Sequence, residues 1–75
     1  MYEWIIVVRG DETAAIAMMR SILPGAQVIS SRPGAMGTDT ILRFKTALSR
    51  ISADTLIRDR FHTDPALLWF KDLNY

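Results

Sequence analysis

Apolar residues in this chain fall into runs of two different periods, and the alternation of those periods predicts the order of its elements. Residues 2–9, YEWIIVVR, are dense in β-branched and aromatic side chains, are short for an amphipathic helix, and stop at Gly10; they predict a first strand. Ala15, Ile16, Met19, Ile22 and Leu23 then recur at spacings of three and four. With Asp11 placed to cap the amino end and Glu12 to complement the dipole, they predict a first helix that ends at Pro24-Gly25. Residues 26–31, AQVISS, predict a short second strand, and residues 31–39 a loop holding Pro33, Gly34 and Gly37. In residues 40–45, Leu42 and Phe44 alternate with Ile41, Arg43 and Lys45, the period of a third strand whose faces meet different surroundings. A second helix is expected from a Ser52 cap to about His62, with Ile51 and Leu56 forming a hydrophobic staple. A start within residues 46–51 is the alternative, since Leu48 and Ile51 are also three apart. Asp64-Pro65 breaks the chain before residues 66–70, ALLWF, the fourth strand.

The order β-α-β-β-α-β, closed by short connections and right-handed crossovers, predicts an α+β ferredoxin-like sandwich: a four-stranded antiparallel sheet in the order 4-1-3-2 with both helices on one face. A sheet of the same elements whose long hairpin extends as a β-arm is the alternative. In element order the chain resembles RNA-recognition modules, ACT ligand-sensing domains and small phage-encoded inhibitors, and the likeness extends to no motif.

Two helices cover one face of such a sheet and leave the other for water or a partner. In the first strand, Tyr2, Trp4, Ile6 and Val8 are all apolar, whereas Ile5 and Val7 lie between Glu3 and Arg9. The apolar set is therefore assigned to the helix side, together with Leu42 and Phe44 of the third strand and Leu68 and Phe70 of the fourth. The open face would then carry Ile5, Val7, Arg9, Ile41, Arg43, Lys45, Leu67, Trp69 and Lys71. A slip of one residue in any strand would exchange the faces. Aromatic and arginine side chains beside aliphatic ones are the composition of contact surfaces.

Length and composition narrow the classes. A chain of 75 residues is expected to form one domain, because a domain of that size buries only about 60% of its unfolded surface. With 49% apolar and 23% charged residues it has the balance of a soluble globular protein, and no apolar run is long enough to span a membrane. The amino end has neither a basic n-region nor a small-residue cleavage site, and there is no cysteine; both point to a cytoplasmic address, and the second excludes thiol chemistry. The net charge of +1 is unevenly spread: Arg20, Arg32, Arg43, Lys45 and Arg50 face only Asp39 between residues 13 and 53. Gathered on one surface, that charge would steer an anionic partner.

Catalytic constellations are scarce. His62 is the single histidine and sits near a helix end, where complementing the carbonyl dipole is its simplest role. Asp59 and Asp64 form a nominal carboxylate pair, and no metal-ligand spacing occurs. The glycines of RPGAMG beside Arg32 suggest an anion cradle, yet they match neither phosphate-loop spacing and join strand to strand. Stacking aromatics of the RNA-recognition kind are wanting on the central strands, where Phe44 alternates inward and Ile5 and Val7 are aliphatic. A non-enzymatic binding protein remains, without cofactor or metal, acting on a larger protein or complex as inhibitor or adaptor, anti-CRISPR proteins being one such class. A nucleic-acid-binding module using the basic face is the alternative, and an ACT-like small-ligand sensor the third; monomer and homodimer are both open. Partner contacts are assigned to Arg9, Arg32, Met36, Arg43, Lys45 and Trp69, with Met36 offered at the loop tip.

Overall fold

A computed structural model describes residues 1–74. Its elements run β1 (Tyr2–Arg9), α1 (Glu12–Ile22), β2 (Gln27–Pro33), β3 (Asp39–Thr46), α2 (Arg50–Thr63) and β4 (Leu67–Asp72). The four strands form one antiparallel sheet in the order β2-β3-β1-β4, the expected 4-1-3-2 read from the other edge. This is the ferredoxin-like α+β architecture that the element order predicts.

The core lies between the sheet and the two helices. Trp4, Ile6 and Val8 of β1 and Leu42 and Phe44 of β3 are buried against Ala15, Met19, Ile22 and Leu23 of the first helical layer and Ala53 and Ile57 of α2. Ile5, Val7 and Ile41, one residue out of phase with them, are only half-buried. That difference between neighbours in a regular strand means that both helices cover the same face. Tyr2 has the inward phase but stands at the strand end and remains exposed.

Several boundaries differ from those the sequence suggests. Helix α2 starts at Arg50, within the alternative range 46–51 rather than after a Ser52 cap, and is capped by Ser49, whose Oγ accepts from the Ser52 amide at 3.2 Å; Ser52 lies in the first turn. Ile51 is 80% exposed, so no staple to Leu56 forms. Residues 49 and 52 are both serines, and the chain uses the earlier one because the β3 end at Thr46 leaves only a short connection, in which the Leu48 amide donates to Thr46 Oγ1 at 3.2 Å. Strands β2 and β3 both extend further toward the hairpin, shrinking the loop from the anticipated residues 31–39 to residues 34–38.

Strand β4 departs most. Val7 pairs with Trp69 but Val8 with Leu67, so Leu68 is an extra residue in a bulge. Leu67 is thereby turned to the helix side and buried, while Leu68 is exposed, which reverses the assignment of both side chains. Beyond the bulge the phase recovers: Phe70 opposes Ile6 on the helix side, meeting Phe61 edge-on at 5.3 Å between ring centroids, with the Arg58 guanidinium 5.1 Å from its ring.

The far end of β4 is fastened by Asp72. Its carboxylate accepts from Arg50 Nε of α2 and from the Asn74 amide at 2.8 Å and side chain at 2.7 Å. Asn74 in turn bridges to the Glu3 backbone, donating to its carbonyl and accepting from its amide, each at 2.9 Å. Burial pushes the Asp72 carboxyl up, but the Asn74 amide bond, the Arg50 bond and the guanidinium charge more than reverse this and hold it below its ordinary 3.8. A carboxyl lowered on folding stabilises the fold above its unfolded pKa and loses that contribution as pH falls through the folded value. Asp72→Asn is therefore expected to be less stable than the parent at neutral pH, with the difference shrinking below about pH 4. Thermal melts across pH 2 to 7 check this; a difference independent of pH would show the carboxylate charge to be irrelevant.

Candidate open-face contact site

The uncovered sheet face is built by strand register. Across the four strands Arg32, Ile41, Val7 and Trp69 stand opposite one another in one row, and Ser30, Arg43, Ile5 and Lys71 in the next. Further along, Gln27 opposes Lys45 and Lys45 opposes Glu3, while Arg9 and Asp39 pair at the hairpin end. Five of the six residues assigned to partner contact, Arg9, Arg32, Arg43, Lys45 and Trp69, thus belong to one face. Trp69, on the edge strand, is 50% exposed. Leu67, expected on this face, is absent from it because of the bulge.

The aliphatic centre of the face is dished. Ile5, Ile41, Ser30, Ser31, Arg32 and Arg43 line a shallow concavity of about 450 Å³, with the isoleucines as its floor and the two arginines at its sides. A second bulge contributes to this shape: Val28 pairs with Phe44 and Ser30 with Arg43, leaving Ile29 as the extra residue. The shift restores Ser30 and Arg32 to the open face. Small serine side chains beside the arginines leave the floor accessible.

One residue of the face escaped the sequence reading. Glu3 accepts from Arg43 Nη2 through both carboxylate oxygens at 3.2 Å. Residues 3 and 43 lie far apart in the chain, and only the pairing of Ile5 with Arg43 brings them to adjacent positions. A cross-strand search for opposite charge, run on the correct register, would have found the pair. Arg9, Arg32 and Lys45 have no ion pair among the described residues. The face accordingly combines an aliphatic floor with cations that are not neutralised.

Met36 is placed apart from this patch, 83% exposed at the hairpin tip. The hairpin is no free arm. Its base is tied to the turn after β1, where the Gly10 amide donates to the Thr38 carbonyl at 3.0 Å and Thr40 Oγ1 donates to the Gly10 carbonyl at 2.9 Å. Gly34 is held by its amide bond to the Asp39 carbonyl, and a Cβ there would collide with the Asp39 carboxylate. Gly37 adopts φ 72°, the left-handed conformation that closes the tip and that other residues seldom adopt.

The glycine loop also borders a concavity of about 530 Å³ between the hairpin and the start of α1. Asp11, Glu12 and Asp39 line it together with Arg32, so negative charge prevails where an anion cradle would need amides and cations. Asp11 is already engaged, accepting from the Ala14 amide at 3.0 Å as the helix cap. The other chemistry-bearing residues have local roles. Asp64 caps α2 and accepts from the Ala66 amide at 2.9 Å, and Asp59 is exposed. His62 is exposed in the last turn of α2, in edge contact with Phe61. Among the described residues, no three acidic, histidine or cysteine side chains converge as metal ligands, and no helix is long and apolar enough to cross a membrane. No protein family, curated protein or solved structure matches this chain.

Proposed function

We propose that this protein is a non-enzymatic binding module that docks its open sheet face on an acidic surface of a larger protein, acting there as an inhibitor or adaptor. The observation behind this is the row Arg32, Ile41, Val7 and Trp69, in which cationic, aliphatic and aromatic side chains stand shoulder to shoulder on a face that no helix covers. Arginine and tryptophan are the residues most enriched among interface hot spots, and an aliphatic floor beside them is desolvated at low cost. The exposed Met36 would extend the contact past the hairpin end, adapting its flexible side chain to the partner.

Nucleic-acid binding is the second reading, supported by the same cations. One feature weighs against it: the central strands offer Ile5, Val7 and Ile41 where stacking rings would be needed.

The test is covalent capture from host lysate with a photo-crosslinking benzoylphenylalanine at Val7, compared with one at Thr55 on the exposed side of α2. Adducts from Val7 alone, resistant to nuclease and lost when Trp69→Ala is combined with Arg43→Glu, are expected. Nuclease-sensitive adducts would establish the nucleic-acid reading instead. Adducts from Thr55 alone would move the site to the helices.

A further inference from the structure

Resting on that reading, we infer that the feature recognised by the open face is an extended acidic segment with two carboxylates two residues apart. Charge and spacing in the concavity lined by Ile5 and Ile41 select this segment. Arg32 lies directly opposite Ile41, and Arg43 is two residues along β3 from Ile41. The two arginines are therefore diagonal neighbours on adjacent strands, about 7 to 8 Å apart at the backbone. An extended chain presents side chains i and i+2 on the same side, separated by about 6.6 to 6.8 Å. Carboxylates at those positions match the two guanidiniums one to one, and each guanidinium can hold its carboxylate by two parallel hydrogen bonds.

Charge complementarity selects this occupant. Arg32 has no ion pair among the described residues, and Arg9 and Lys45 bracket the concavity without one. Arg43 is engaged by Glu3, but that pair is exposed on both sides and exposed pairs contribute little, so an incoming carboxylate can replace Glu3. Glu3 is then a weak internal competitor for the site. This gives the inference a consequence that a purely structural role for Glu3 would not: removing its charge should tighten binding.

The probe is a capped peptide reading Ser-Asp-Ser-Asp-Ser, titrated into the ¹⁵N-labelled protein and followed by amide shifts and by Trp69 fluorescence. Saturable shifts centred on Ile5, Ser30, Ile41 and Arg43 are expected. Replacing both peptide aspartates by asparagine should weaken binding about tenfold, and Arg43 by glutamine about threefold, as expected for two and for one exposed ion pair. Glu3→Gln should tighten it roughly twofold. The inference is overturned if the peptide produces no saturable shifts, if the asparagine peptide binds as well, or if Glu3→Gln weakens binding in a variant whose spectrum stays native. It is likewise overturned if an oligothymidylate of similar length binds the same residues more tightly than the peptide. Failure of the peptide while crosslinks from Val7 persist would reject the carboxylate motif and leave the protein-binding reading standing.

Discussion

Phe44→Ala is expected to destabilise the protein by about 3 to 5 kcal/mol, the cost of removing a buried aromatic ring that the surroundings cannot refill. Phe44 lies at the centre of β3, opposite Trp4 on β1 and Val28 on β2, and points into the layer of Met19, Leu23 and Ile57. The ring is therefore buried within a cluster drawn from elements distant in sequence. At about 0.05 to 0.15 kcal/mol per residue, a chain of this length has a total stability of roughly 4 to 11 kcal/mol, so the substitution would remove about a quarter of it at least and could unfold it. Urea denaturation at 25 °C, read by the fluorescence of buried Trp4, measures the loss. A cost under about 1 kcal/mol would place Phe44 on the open face and invert the register of β3.

The second large effect discriminates between adjacent leucines. Leu67→Ala is expected to cost about 2 to 5 kcal/mol and Leu68→Ala less than about 1, because the bulge places Leu67 in the core, 2% exposed, and leaves Leu68 38% exposed. Without the bulge the order would be reversed, since simple alternation from Phe70 sends Leu68 inward. Equal costs, or a greater cost at Leu68, would remove the bulge from β4. The pair also bears on the site: restoring regular alternation upstream of Trp69 would return Leu67 to the open face.

The two substitutions concern residues that the sequence reads with unequal success. Leu42 and Phe44 alternate with charged or exposed neighbours on a central strand, so the inward phase is visible in the chain itself. ALLWF has no polar residue to mark a face, and its phase is set by pairing with β1, where the extra residue is accommodated because β4 is an edge strand with no second partner. Helix α2 is similar. Its buried side consists of Ala53 and Ile57 alone, while Ile51 is largely exposed, so apolar spacing leaves the start open between residues 46–51 and Ser52 and suggests a staple that does not form. On the open face, the alternation of Ile41, Arg43 and Lys45 already groups two of the contact residues, Arg43 and Lys45. The pairing of Arg43 with Glu3 and the concavity between Arg32 and Arg43 are properties of three strands in register.

Local chemistry thus determined the number and order of the elements, the side of β1 and β3 that faces the helices, and hence the existence of an uncovered cationic face. Those features depend on periodicity, glycine and proline breaks, and cap residues, each acting over a few neighbouring positions. Tertiary structure alone decided the two bulges, the choice of Ser49 over Ser52 as cap, the tying of the hairpin base to Gly10, and the engagement of Arg43 by Glu3. In each of these, several local arrangements are nearly equal in free energy, and the outcome rests on which arrangement lets Leu67, Phe70 and Ile57 close the core while strands distant in sequence keep their hydrogen bonds.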